Sequence, residues 1–196
     1  GVPWALSDYS LKPIEAVIEG DVPLGAGLSS SAAIEVAVAL AFCEVAGERP
    51  DSKQLALLCQ RAENGFVGVN CGIMDQFVSI HGAENHAVFI DCLTLDYQLV
   101  PLDASRAQIV VCNTMVHHAL GASAYNERRA SCEAAAERIA TRKPQVDSLR
   151  DVSSEELEAC RDLLDPVAYR RARHVVTEDE RVLESIDALN ASDLER

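Results

Sequence analysis

The chain has 196 residues, 48% of them hydrophobic, and a formal net charge of −14 at pH 7. That length buries a sizeable core in one large or two small domains, and that charge argues against nucleic acid or an anionic membrane as a partner. The seven cysteines (Cys43, Cys59, Cys71, Cys92, Cys112, Cys132 and Cys160) are scattered and include no Cys-x-x-Cys pair. They read as small buried apolar residues of a reducing compartment, not as a zinc site. With no signal peptide at its start and no apolar run long enough to span a membrane, the chain is expected in the cytoplasm.

Ile14–Glu19 is expected to form a short strand, closed by Gly20-Asp21. A helix is expected from about Leu28 to Ala46; its Ala- and Val-rich run is apolar nearly all round, which predicts deep burial, with Gly47 as the C′ residue. A second helix is expected over Ser52–Phe66, with Ser52 as its cap and Leu55, Leu58, Cys59 and Ala62 as its apolar stripe. A loop holding Gly65, Gly68 and Gly72 leads to Ile73-Met74-Asp75-Gln76, which opens a short helix ending near His81-Gly82. Three strands are expected over His86–Asp91, Tyr97–Pro101 and Ala107–Thr114. From Ser123 the chain turns densely charged and helical, with helices over Ser123–Thr141, Ser153–Leu164 and Asp165–Asn190. The last starts with Asp165 as cap and Pro166 at the first helical position. A boundary is expected near residues 115–125, with His117-His118 and Gly121 in the connection.

The segment Pro23-Leu24-Gly25-Ala26-Gly27-Leu28-Ser29-Ser30-Ser31-Ala32-Ala33 is small, uncharged and rich in hydroxyls, and it runs into a helix. Gly25 and Gly27 let the chain turn sharply and approach a ligand closely. The first N–H groups of a helix lack partners within it, and its dipole is positive there, so an anion such as phosphate fits. No charged residue lies between Asp21 and Glu35 to repel one. The segment is neither a P-loop nor a dinucleotide fingerprint, because no Gly-Lys-Ser/Thr follows and Ser30 stands at the third glycine. On residues alone two readings stay open: a phosphate loop, or a helix capped by one of its serines.

Asp75 has apolar neighbours, so it needs partners. It is either a helix-start aspartate satisfied by backbone donors or a base for a substrate hydroxyl. Glu63 stands at a helix end, poorly placed for the dipole; locally it reads as a surface glutamate, with Mg²⁺ binding as the other reading. Tyr125, before Asn126-Glu127-Arg128-Arg129, reads locally as a half-buried anchor. His117-His118 reads as loop and His174 as a packing residue on a helix.

Together these motifs resemble one family. Val22 to Ala33 resembles the second signature of the GHMP kinases, and Cys71-Gly-Ile-Met-Asp-Gln76 is similar to the galactokinase branch of that family. His86 to Cys92, Tyr125 to Arg129 with Cys132, and Arg171 to Val176 are similar to the same branch, in the expected order. The resemblance implies an α+β fold. Residues 1–120 would be part of a GHMP kinase N-terminal, ATP-binding domain (the mixed α/β, ribosomal-protein-S5-domain-2-like type), and 121–196 the helical start of the C-terminal domain. It implies ATP-dependent phosphorylation of the anomeric hydroxyl of galactose. Carried over by residue, Gly25, Ala26, Gly27, Leu28, Ser29, Ser30 and Ser31 would wrap the ATP phosphates. Ser31 and Glu63 would hold Mg²⁺, Asp75 would act as catalytic base on the sugar hydroxyl, and Tyr125 would contact the sugar. ATP and galactose are the implied partners, and the complete protein is expected to be a monomer.

Two departures accompany the resemblance. The family's N-terminal signature, with its sugar-gripping Glu-His-x-Asp cluster, has no match in residues 1–21, and its glycine-rich C-terminal signature is absent before Arg196. The chain is therefore expected to be the middle of such a kinase, exposing core surface and inactive by itself. Two rival readings remain: a non-catalytic galactose- and ATP-binding regulator, and an N-acetylgalactosamine kinase or other sugar 1-kinase. The known sensor of the first kind has a shortened serine–alanine loop, whereas Ser30-Ser31-Ala32-Ala33 is intact here.

Overall fold

The structure, a computed structural model, describes residues 1–113, 115 and 121–195. The expected connection at His117-His118 and the end of the third expected strand at Thr114 lie outside the described residues. The chain divides into two compact units, Gly1–Ala119 and Leu120–Arg196.

The first unit is built on helices α1 (Val2–Ala5), α2 (Ser30–Ala46), α3 (Ser52–Arg61) and α4 (Met74–His81), followed by strands β1 (His86–Ile90) and β2 (Tyr97–Pro101). Helix α2 starts at Ser30, not Leu28, because Ser29 is left-handed (φ 55°); it ends where Gly47 turns left-handed (φ 77°), as expected. The cap of α3 is Asp51, whose carboxylate accepts from Gln54 N; Ser52 is already inside the helix. A carboxylate is a better acceptor than a hydroxyl for these amides. Beyond Arg61 the helix widens into a π-helical turn, Ala62–Val67, which ends where Gly68 takes φ 87°.

Leu55, Leu58, Cys59 and Ala62 are buried together against Val36, Ala39 and Cys43 of α2 and Val2, Ala5 and Leu6 around α1. The deep burial expected of α2 holds for one face only: Ile34, Leu40 and Val45 are exposed. The neighbouring elements present a single layer, and a helix apolar all round then leaves its far side in solvent. Helix α4 packs on both α2 and α3 and inserts the fully buried Phe77, with Val88 and Ile90 of β1 against its cluster. The hairpin pairs antiparallel from His86↔Pro101 to Ile90↔Tyr97. Asp91 organises its turn by accepting from Leu93 N (2.8 Å) and Thr94 N (3.1 Å).

Two expected strands are not strands. Residues 14–19 and 107–113 are irregular, and the sheet among the described residues has two strands, β1 and β2. A strand exists by pairing, and among the described residues neither stretch is paired with a neighbour. Ile18, Ile109, Val110 and Val111 are accordingly exposed. The cysteines also depart from uniform burial: Cys43, Cys59 and Cys160 are buried, Cys71 and Cys132 partly so, while Cys92 and Cys112 lie in exposed turn and irregular segments.

The second unit holds α5 (Gly121–Ala140), α6 (Ser154–Ala159) and α7 (Pro166–Asn190), with 3₁₀ turns at Leu149–Asp151 and Arg161–Leu163. Asp165 caps α7 by accepting from Val167 N and Ala168 N. The single helix expected over Ser153–Leu164 is split at Cys160. The N–H of Cys160 divides between the carbonyls of Glu156 and Leu157, a pattern of helix ends, as its fully buried side chain joins Ile139, Leu157 and Ala172. No described helix is long and apolar enough to cross a membrane.

Candidate active site

The segment before α2 alternates its backbone handedness: Gly25 (φ 71°), Gly27 (φ 73°) and Ser29 (φ 55°) are all left-handed. Such reversals turn successive amides toward a common side, the geometry of an anion-binding nest. A Cβ added at Gly27 would meet nothing within 4 Å, so space is open beside the backbone there. No serine side chain caps α2, and Ala33 N is the first amide of this turn bonded back, to Ser29 O at 3.0 Å. The amides of Ser30, Ser31 and Ala32 therefore face outward at the positive end of the helix, and the serine-cap reading does not describe this start.

Asp75 lies half-buried in the first turn of α4, between the buried residues Ile73 and Gln76. The N-terminal end of a helix favours a carboxylate. Glu63 sits in the π-helical turn beyond α3. Its oxygen Oε2 is buried without a hydrogen-bond partner among the described residues. An unsatisfied carboxylate oxygen is a ligand atom for a hard cation, and Mg²⁺ commonly takes one or two carboxylates plus phosphate oxygens and water. The residues present thus fit a nucleotide-bound Mg²⁺. Among the described residues no group of three or more His, Cys, Asp or Glu could hold a metal by itself. Tyr125 belongs to the second unit, in α5, with 47% of its surface exposed.

Two residues that sequence reasoning passed over join these parts. Glu35, on α2, is only 8% exposed, and Gln76, on α4, only 1%. Gln76 Nε2 donates to Glu35 Oε2 at 3.1 Å. Burial, and then a hydrogen bond with Glu63, push the Glu35 carboxyl well above the ordinary range, against the opposing effect of Gln76. Around this centre Gln60 Nε2 (3.1 Å) and Asn64 Nδ2 (3.4 Å) donate to Cys71 O, and Cys71 Sγ donates to Asn64 Oδ1 at 3.2 Å. Burial, then Glu63, raise the Cys71 thiol, so it stays protonated. The signal for Glu35 was present in the sequence: it is the one charge between Asp21 and Glu44, and it stands four residues after Ser31.

Residues 2–83 match the family model described as the GHMP kinases N terminal domain. The chain is 46% identical to a galactokinase of Roseiflexus sp. over 99% of its own length and 50% of the relative's. It is 42% identical to the galactokinase of Bos taurus, over 98% of this chain and 48% of that one. Residues 2–83 are thus similar to the GHMP kinase N-terminal domain, and nearly the whole chain is similar to galactokinases. The crystal structure of Lactococcus lactis galactokinase complexed with galactose has the same fold, with a TM-score of 0.85 at 33% identity, over 99% of this chain and 51% of that one. The chain spans about half the length of the curated relatives it matches. The α+β fold expected from the motifs is therefore found.

Proposed function

We propose that the protein is a galactokinase, transferring the γ-phosphoryl group of ATP to the anomeric hydroxyl of galactose. The likeness to a galactokinase complexed with galactose, over 99% of this chain at a TM-score of 0.85, carries this reading. The backbone of Gly25, Ala26, Gly27, Leu28, Ser29, Ser30 and Ser31 receives the ATP phosphates, with the free amides of the first turn of α2 as donors. Ser31 and Glu63 hold Mg²⁺, which when bound neutralises charge on the transferring phosphoryl. Asp75 orients the anomeric hydroxyl and takes its proton as the new P–O bond forms and the bond to ADP breaks. Tyr125 contacts the sugar. The domain reading goes with this assignment: 1–120 as part of the ATP-binding domain and 121–196 as the start of the C-terminal one, in a monomeric cytoplasmic enzyme.

The intact serine–alanine run favours the enzyme over the non-catalytic regulator. An ADP-release assay on the whole protein with Mg²⁺ and ATP, run with galactose, N-acetylgalactosamine and no sugar, decides among the readings. Turnover that depends on galactose is the expected result. Preference for N-acetylgalactosamine would reassign the sugar, and tight galactose binding without ADP release would favour the regulator.

A further inference from the structure

Helix α2 carries the serine loop at its start, α4 carries Asp75, and the π-helical turn carries Glu63. The first two meet at one buried side chain. Resting on the kinase reading above, we propose that Glu35 is a positioning residue of the phosphoryl-transfer site: it accepts the Gln76 amide and so holds α4 to the face of α2 that bears Ser31.

The geometry supports this tie. Ser31 and Glu35 are four residues apart in one helix, so they lie one above the other on the same face. Gln76 Nε2 reaches Glu35 Oε2 at 3.1 Å, and Gln76 is the immediate neighbour of Asp75. Glu63 Oε2, in the turn that follows α3, has no protein partner among the described residues. Trp4 packs on that turn and lies so close over Gly65 that a Cβ there would come within 2.6 Å of the indole. Packing alone does not account for the pair. The rest of the buried α2 face is Ala32, Val36, Ala39 and Cys43, and an aliphatic residue at 35 would fill the space without polar atoms to satisfy. A carboxyl and an amide instead fix direction as well as distance.

Three variants of the whole protein, Glu35→Gln, Glu35→Leu and Gln76→Met, test the assignment. Two readouts are needed: steady-state kinetics with galactose and Mg-ATP, and amide hydrogen exchange of α4 (Met74–His81) against α3 (Ser52–Arg61). Gln at 35 keeps an acceptor for Gln76; Leu supplies none. Glu35→Leu is expected to lower kcat by about 10–100-fold, the usual cost of losing a supporting partner. The galactose KM should change little, because the site is formed but misaligned. Exchange should quicken in α4 and not in α3. Gln76→Met should do the same if Glu35→Leu fails to fold, and Glu35→Gln should restore both readouts. Unchanged kcat and α4 exchange in the Leu and Met variants would overturn the proposal, as would a Gln variant no better than Leu. A parent protein without galactose-dependent turnover would instead sink the kinase reading, and the exchange readout would then decide the tie between α2 and α4 alone.

Discussion

Asp75 and Glu63 are both carboxylates near helix ends, yet their placements differ. Asp75 stands in the first turn of α4, where the helix dipole favours its charge. Glu63 follows the C-terminal end of α3, where the dipole opposes it, and its Oε2 is buried without a partner among the described residues. Asp75→Ala is expected to reduce galactose-dependent turnover by about 10²–10⁴-fold, the range for a positioned base, while ATP affinity measured by calorimetry stays near that of the parent. Turnover within about tenfold of the parent would remove Asp75 from the role of base. Glu63→Gln keeps the shape and loses the charge. It should weaken nucleotide binding in the presence of Mg²⁺ and leave Mg²⁺-free binding unchanged; a Mg²⁺ titration with the parent's midpoint would rule Glu63 out as ligand. Both residues could be picked out in the sequence from their motifs. Glu35 stood out only as a lone charge and Gln76 only as the neighbour of Asp75; their meeting across two helices, 41 positions apart in the chain, was not legible there.

Where a helix or strand was set by residues close in the chain, its limits were legible beforehand. Gly47 ends α2 by taking the left-handed conformation, and Asp165-Pro166 starts α7 with a carboxylate on two free amides. Tyr97–Pro101 was found at its expected limits, as half of a hairpin whose turn Asp91 organises locally. The π-helical turn over Ala62–Val67 carries no such local mark. It coincides with the approach of Trp4 to Gly65, and Arg61 stacks on the other part of this cluster, 5.0 Å from the indole centroid. Gly65→Ala would place a Cβ 2.6 Å from that ring, so a stability loss of about 1–3 kcal/mol from overpacking is expected. Urea unfolding followed by Trp4 fluorescence measures it. A midpoint equal to the parent's would mean that the indole moves aside freely, and that it does not brace the turn.

Both units hold carboxyls below the ordinary range, Asp96 and Asp103 in the first and a larger group in the second. In the second, hydrogen bonds hold several carboxyls below the ordinary carboxylate range: Glu156 through Lys143, Asp162 through Arg142, Asp165 through the Ala168 and Val167 amides, and Glu180 through Ser154. A depressed folded-state value means that the folded unit binds fewer protons than the unfolded one. This stabilisation is present above the unfolded values near pH 4 and is lost as pH falls through the folded ones. Asp179, raised by burial, works weakly against it. Residue-resolved amide exchange should show α6 and α7 losing protection as pH drops below about 4. Protection held to about pH 2 would mean that these pairs contribute nothing to folding.

Periodicity, caps and motif spacing were enough to read most helices, the strands β1 and β2 and the resemblance to GHMP kinases from the residue order, because each depends on neighbours within a few positions or on a short run of residues. Pairing and burial depend on what lies opposite. Ile14–Glu19 and 107–113 had strand composition but no partner strand among the described residues. Helix α2 was apolar all round but was covered on one side. Glu35 took its partner, Gln76, from α4. Those outcomes rest on contacts between distant segments, which form only when the chain has folded.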